Sequence, residues 1–338
     1  MTKKRIFLHI GTHKTATTTI QAGCFENRET LLEDGWLYPG TGMFVSGHHN
    51  IAWEFLTDHH PLSWNQIEAW AKFRPKLGGM NELLAEINAS PVNNVILSSE
   101  NFDQFPTECV SLLKDSLTDY QVEIIVYLRE QGAFLQSAWA QFVKTGYITQ
   151  DFRSFIEEKL FSTDEDLRYF GAYDLFLIPW INSFGKQHVH PIAFSGGNIF
   201  HDFLNQCEVP NPGKYVVPEN QNVSPGYKTL EMIRFLTKGI VSLKGRANVI
   251  RSVKHIAKES HWDTVELNLI DAALSSRIQS RFITANQFLS DQFCPGEPFF
   301  KEGFVEKPLS SFDLSSMTAS EWETIAYTMA TYIGNEYF

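Results

Sequence analysis

Cysteine is scarce and scattered. The four residues, Cys24, Cys109, Cys207 and Cys294, form no CxxC pair. That spacing disfavours a zinc ribbon or a disulfide scaffold and leaves reduced, buried thiols as the expectation. Long apolar runs are missing too, and none reaches membrane-spanning length. The N-terminal MTKKRIFLHIG has basic residues followed by a mostly apolar run, Ile6 to Ile10. That run is too short for a signal-peptide core, and no small-residue cleavage site follows it. The expectation is a cytoplasmic chain without a membrane span. Positive charge is in deficit, with 28 Lys and Arg against 39 Asp and Glu, a formal net charge of −11. This argues against a nucleic-acid binder that works by charge alone, yet leaves room for a local basic pocket around an anionic ligand. Internal repeats and low-complexity tracts are lacking.

What is present is an aromatic-rich core. Hydrophobic residues make up 43% of the 338 positions, and 27 of the aromatics are Phe. That is enough for one large domain or two small ones. The stretch that organises the chain is RIFLHIGTHKTATTTIQ, Arg5 to Gln21. Ile6 to Ile10 suits a buried strand. Gly11 breaks it, a polar loop Thr12-His13-Lys14-Thr15-Ala16 follows, and a threonine run leads into a helix. Unpaired backbone N–H groups at a helix start, together with its dipole, make an anion site. Lys14 adds a full charge, and Thr17, Thr18 and Thr19 add hydroxyl donors. The stretch reads as a phosphate cradle.

It is not an ordinary nucleoside-triphosphate loop, which needs GxxxxGK[ST]. Lys14 stands three residues after Gly11, with no second glycine before it. The order of lysine, small residue and hydroxyl run resembles the 5′-phosphosulfate loop of sulfotransferases that use 3′-phosphoadenosine 5′-phosphosulfate (PAPS). That family's pattern is lysine, any residue, glycine, any residue, then threonine or serine. Here it reads Lys14-Thr15-Ala16-Thr17-Thr18, with Ala16 where glycine is usual. The departure matters if the backbone there takes positive φ, which alanine resists.

Two more segments carry the resemblance. Val95-Ile96-Leu97 reads as a strand and runs into SSENF, Ser98 to Phe102. Polar residues at the end of a buried strand are where an open α/β sheet places its chemistry. Glu100 suits either a helix cap or a general base. SSENF is similar to a segment of bacterial relatives of the family, where a glutamate near the donor takes the acceptor's proton. VEIIVYL, Val122 to Leu128, is a third strand, followed by Arg129, with Ser137 on the next helix. A strand-end arginine forks onto phosphate, and a serine adds a hydroxyl bond. LREQGAFLQSAWAQFVKTG resembles the family's 3′-phosphate element, which gives Arg129 and Ser137 that role. His48-His49 follows Gly47 and suits a loop end or cap, or a substrate-facing base; His49-Asn50 is similar to a histidine–asparagine element of the bacterial relatives. His188 and His190 share one strand face and read as structural. Ser224 before Pro225 reads as an N-cap, and the resemblance also lets Asn222 and Ser224 line the groove. The basic stretch Lys238 to Lys258 reads as a solvated helical face, with an anionic partner as the other reading.

The resemblance implies an α/β fold with a P-loop nucleotide-kinase-like, mostly parallel sheet flanked by helices. It implies a single domain over 1–338 with helical insertions at about 36–90 and 225–290. The implied reaction moves a sulfuryl group from PAPS to a hydroxyl or amine, with 3′-phosphoadenosine 5′-phosphate (PAP) as product and no metal. Lys14 would stabilise the leaving phosphate. Thr15, Ala16, Thr17, Thr18 and Thr19 would hold the 5′-phosphate. Glu100, or failing it His49, would be the base, with His13 either assisting or packing. The acceptor is expected to be a carbohydrate or other small molecule. Trp53, Trp64, Trp70 and Trp139 are available as stacking faces. The alternatives are a nucleotide-dependent kinase on the same fold and a non-catalytic relative that keeps the groove.

Overall fold

The computed structural model describes residues 3–59, 74–163, 167–218, 225–260, 262, 267–301 and 307–334. Among the described residues there are five strands: β1 Arg5–His9, β2 Trp36–Leu37, β3 Asn94–Ser98, β4 Gln121–Leu128 and β5 Val189–Ala193. They form one sheet in the order β2-β3-β1-β4-β5, with every neighbouring pair parallel. Side chains alternate across each strand, so each strand feeds both faces. Ile6 and Leu8 of β1 join Val95 and Leu97 of β3 and Ile124 and Val126 of β4 in one apolar cluster. Phe7, Ile96, Ile125 and Tyr127 join the cluster on the other face. Helices cover both. Met80–Ala89, Thr107–Ser116 and Tyr173–Phe184 supply Leu83, Val110 and Trp180 to the first. Thr17–Glu26 and Ile199–Gln206 supply Ile20 and Phe200 to the second. A sheet buried on both faces explains why β1, β3 and β4 read as near-continuous apolar runs.

Strand order fixes where a ligand site can sit. After β1 the chain crosses past β3 to β2, and after β4 it goes the other way, to β5. The loops leaving β1 and β4 therefore part company at adjacent strand ends. That divergence opens a crevice at the carboxyl edge of a parallel sheet. Residues 10–16 and Arg129 occupy those two ends.

Several expected elements differ. Ile20 to Leu37 reads as one helix, but the chain forms Thr17–Glu26, Arg28–Glu33 and then the edge strand β2. A two-residue strand carries no period to detect. Residues 60–73, with Trp64 and Trp70, lie outside the described residues, as do Asn222 and Ser224. The helix expected from Ser224 begins at Tyr227 with Gly226 as its N-cap, so Pro225 precedes the helix. Leu267 to Leu289 reads as one helical pattern, but the chain forms two helices there, Ala272–Arg281 and Ile283–Phe293, the second running past Leu289.

Contacts divide the chain into two compact units. The first comprises residues 1–130, 171–220 and 284–301 and contains the sheet; the second comprises 131–170, 221–283 and 302–338. Among the described residues the second unit is helical. Trp139 of Gln131–Lys144 is fully buried there, 5.7 Å from the Phe152 ring, and its Nε1–H donates to the Gln150 carbonyl at 3.1 Å. That burial removes it as a stacking face. The basic helix Leu243–Glu259 buries Val249, Val253 and Ile256 and exposes Lys244, Arg251 and Lys258, a solvated basic face.

Candidate functional site

The cradle is built on β1. Beyond His9, the Ile10 N–H donates to the Ile125 carbonyl at 3.1 Å, and the Tyr127 N–H donates to the Gly11 carbonyl at 3.1 Å. Gly11 has φ +102, and a Cβ there would meet the Glu100 Cα at 3.2 Å and its carbonyl oxygen at 3.3 Å. Only glycine lets the two strand ends come this close. Thr12 donates both its N–H and its Oγ1–H to the Tyr127 carbonyl, at 3.2 and 3.1 Å. Thr15 is fully buried and its Oγ1–H donates to the Thr12 carbonyl at 2.5 Å.

Ala16 caps the helix Thr17–Glu26 in the left-handed region, at φ 58 and ψ 31. The backbone demand that would make glycine usual at this place is met here by alanine. Lys14 is also left-handed, at φ 67. Two left-handed residues in so short a loop turn its N–H groups away from ordinary pairing. The N–H groups of Thr15, Ala16, Thr17 and Thr18 have no hydrogen-bond partner among the described residues; the first repeat bond is Thr19 N–H to the Ala16 carbonyl, at 3.0 Å. Four such groups at the start of a ten-residue helix are an arrangement that suits an anion. Thr17 is buried, Thr18 exposed and Thr19 half-buried.

The second strand end reaches into this loop. Arg129 follows β4, and its Nη1 donates to the Lys14 carbonyl at 3.3 Å. The guanidinium lies 5.7 Å from the Phe194 ring, and its backbone carbonyl accepts from the Tyr173 hydroxyl at 2.5 Å. It makes no ion pair with a carboxylate among the described residues. Burial lowers its pKa, more than Tyr173 and Glu130, which favour the charge, raise it. Ser137, expected to work with it, belongs to the second unit, half-buried on Gln131–Lys144.

The third strand end supplies carboxylates. Glu100 opens a short turn, Glu100–Gln104, after β3. Its Oε2 accepts from Gln21 Nε2 at 2.7 Å and lies 3.8 Å from His49 Nδ1. Burial raises its carboxyl, but His49, His13 and the Gln21 amide outweigh that and hold it below the usual carboxylate range. His49 begins the helix His49–His59. Ser99 Oγ and Asn101 Nδ2 lie 2.9 and 3.0 Å from its Nδ1. An amide nitrogen only donates, so with Asn101 in this orientation Nδ1 accepts and the neutral ring carries its proton on Nε2. Burial lowers the His49 pKa despite Glu100. His49 thus stands as a hydrogen-bond donor, and Glu100 as an ionised carboxylate held through one oxygen by Gln21. Gly47 allows this packing, since a Cβ there would meet His49 Nε2 at 2.7 Å and Gln21 Cδ at 2.8 Å.

His13 is joined to the same turn. Asp103 Oδ2 accepts from the His13 N–H at 2.9 Å and lies 2.6 Å from its Nδ1. Deeper in the sheet, His9 Nδ1 lies 2.8 Å from Ser98 Oγ, and burial lowers the His9 pKa to about 4. The structure therefore brings His13, Lys14, Thr15, Ala16, Thr17, Glu100, His49 and Arg129 onto the carboxyl edge of one sheet. Gln21 and Asp103 escaped sequence reasoning. Asp103 offered one signal, an acid three residues after Glu100; Gln21 offered none. His188 and His190, at the other edge, both bond Glu123, at 3.1 and 2.8 Å. No group of three or more His, Cys, Asp or Glu among the described residues is arranged to hold a metal ion, and no described helix is long and apolar enough to cross a membrane. Comparison with protein-family models, with curated proteins and with solved structures finds no match to this chain.

Proposed function

We propose that the chain is a sulfotransferase on a P-loop-like sheet, which uses PAPS and transfers to a hydroxyl or amine of an acceptor, with a carbohydrate as the acceptor class. The observation that carries this reading is the pairing at the switch point. A left-handed, lysine-bearing loop with four unbonded N–H groups is tied to a strand-end arginine that has no carboxylate partner among the described residues. Two separate anion receptors on adjacent strand ends suit a ligand with two phosphate centres.

The donor supplies the sulfuryl group and leaves as PAP. The N–H groups of residues 15–18 and the Thr17 and Thr18 hydroxyls hold the 5′-phosphate, with Thr19 at the rim. Lys14 offsets charge that builds on the leaving oxygen. Arg129 takes the 3′-phosphate. Glu100, fixed through one oxygen by Gln21, receives the acceptor's proton. For a carbohydrate acceptor, Trp53, half-buried 5.3 Å from the His49 ring, offers part of a stacking face. A kinase reading would draw on Glu100 and Asp103 to hold magnesium, although Asp103 spends one oxygen on His13.

The test is thermal unfolding with PAP against ATP and magnesium, since a ligand that binds only the native state raises the midpoint. The reading expects PAP to stabilise the protein, and Lys14→Ala or Arg129→Ala to abolish the shift. Stabilisation by ATP and magnesium alone would transfer the assignment to the kinase.

A further inference from the structure

The cradle holds a histidine whose geometry goes beyond that of a loop tie. Asp103 Oδ2 meets both the backbone N–H and Nδ1 of His13, which fixes the ring against the loop it belongs to. A carboxylate accepts and does not donate, so Nδ1 carries a proton. Nε2 has no partner among the described residues, and 43% of the side chain is exposed. An aspartate that orients a histidine through Nδ1 and leaves Nε2 to act is a recurrent arrangement in catalysis. Here it stands one residue from Lys14, inside an anion receptor.

We propose that His13, positioned by Asp103, is the second cation of the cradle and donates a hydrogen bond from Nε2 to the phosphate or phosphosulfate group bound there. This rests on the anion-binding reading of the loop and deepens it: the cradle is built for a group of at least two negative charges. Asp103 acts as a positioning residue, because it works only through the ring.

The surrounding charges favour this state. Burial opposes the imidazolium, but Asp103 and Glu100, both on the turn after β3, outweigh it and the repulsion of Lys14, raising the His13 pKa to about 9. His49, on its own helix, also faces it, and Asp103 in turn faces Tyr173. The other cation of the neighbourhood, Arg129, is bound to the Lys14 carbonyl. A folded pKa raised in this way keeps the ring charged below about 9, so anion affinity should be lost as pH rises through that value.

The experiment titrates the full chain with PAP and with inorganic pyrophosphate from pH 6 to pH 10, for wild type, His13→Gln and Asp103→Asn. Imidazole NMR of the ligand-free proteins follows the ring itself. Wild type should keep its affinity to about pH 8 and lose it around 9. His13→Gln should bind about tenfold more weakly at pH 7, as expected for a lost charged hydrogen bond, and lack the loss near 9. Asp103→Asn should move that loss toward the ordinary histidine value of about 6.5. A histidine that only ties the loop would leave the pH profile unchanged in both variants. That result, or a wild-type ring titrating near 6.5, overturns the proposal. If pyrophosphate binds with the expected profile and PAP does not, the second cation stands and the sulfotransferase reading falls. If neither ligand binds wild type, both fall.

Discussion

Gly11 and Gly35 form a natural pair for testing the closeness of the cradle to the turn after β3. Both have similar left-handed backbones, φ +102 and φ +94. A Cβ on Gly35 would meet nothing within 4 Å, whereas one on Gly11 would meet the Glu100 backbone at 3.2 and 3.3 Å. Gly35→Ala therefore measures backbone strain alone, about 1–3 kcal/mol, less the roughly 0.4–1 kcal/mol gained by restricting the unfolded chain. Gly11→Ala adds overpacking against backbone that cannot rotate away, about 1–3 kcal/mol more. At about 2 °C per kcal/mol for a chain of this size, Gly35→Ala should lower the melting midpoint by about 0–5 °C, and Gly11→Ala should lie about 2–6 °C below Gly35→Ala. The assay is thermal unfolding of both variants in the same buffer, repeated with PAP. Gly35→Ala should keep the ligand shift and Gly11→Ala should lose most of it. Equal midpoints for the two variants would refute the argument, because the clash is all that separates them.

Other outcomes follow from the same geometry. Arg129→Met should leave the ligand-free protein about as stable as wild type, since no described carboxylate forms an ion pair with the buried guanidinium, while removing stabilisation by PAP; a drop of more than about 2 kcal/mol in denaturant would show that the guanidinium is structural. His9 and His48 are buried and neutral, with pKa values lowered by burial to about 4. Their depressed values make stability fall as pH drops from about 6.5 toward 4, by about 3 kcal/mol each when complete, so denaturant midpoints at pH 7.5 and 4.5 should differ strongly. The Glu100 carboxyl is also depressed, so its contribution is present above its ordinary value and lost as pH falls through the folded one. The stability gap between wild type and Glu100→Gln should close in acid, and Gln21→Leu, which removes a donor to the carboxylate, should start that closure at higher pH. A gap independent of pH would mean that Glu100 does not ionise in the fold.

The parts of this fold that were legible in the sequence are those that a continuous run of residues specifies. β1, β3 and β4 declare themselves because a parallel strand covered on both faces has no polar alternation. The helices Thr107–Ser116 and Phe152–Phe161 show a 3.6-residue apolar period. β2 escaped because Trp36 and Leu37 gain strand character only from their pairing with Asn94 and Val95. The same distinction governs the site. Lys14, Glu100 and Arg129 each follow an apolar strand, so their place at the sheet edge is readable. Asp103 matters only through His13, ninety positions away in the chain, and Gln21 only through Glu100. Trp139 misled as a stacking candidate because aromatic residues pack inside at least as readily as they meet ligands. Ala16 shows the reverse case, where a local rule made the question plain and the backbone answered it.

The ties that hold residues 11–16 bear on how fast a ligand can arrive. Thr12 is bonded to β4, His13 to the turn after β3, Thr15 back to Thr12, and the Lys14 carbonyl to Arg129. An anion that docks there meets donors already in position and spends little of its interaction energy on freezing the loop. Capture then resembles rigid docking, with an association rate set by diffusion and by the field around the entrance. Under the proposed anion-binding role, the far field of a chain of net charge −11 would repel the ligand, and the small group of cations at the sheet edge would govern entry over the last few ångströms. Modest salt, which screens the distant repulsion before it weakens the close contacts, should therefore speed capture.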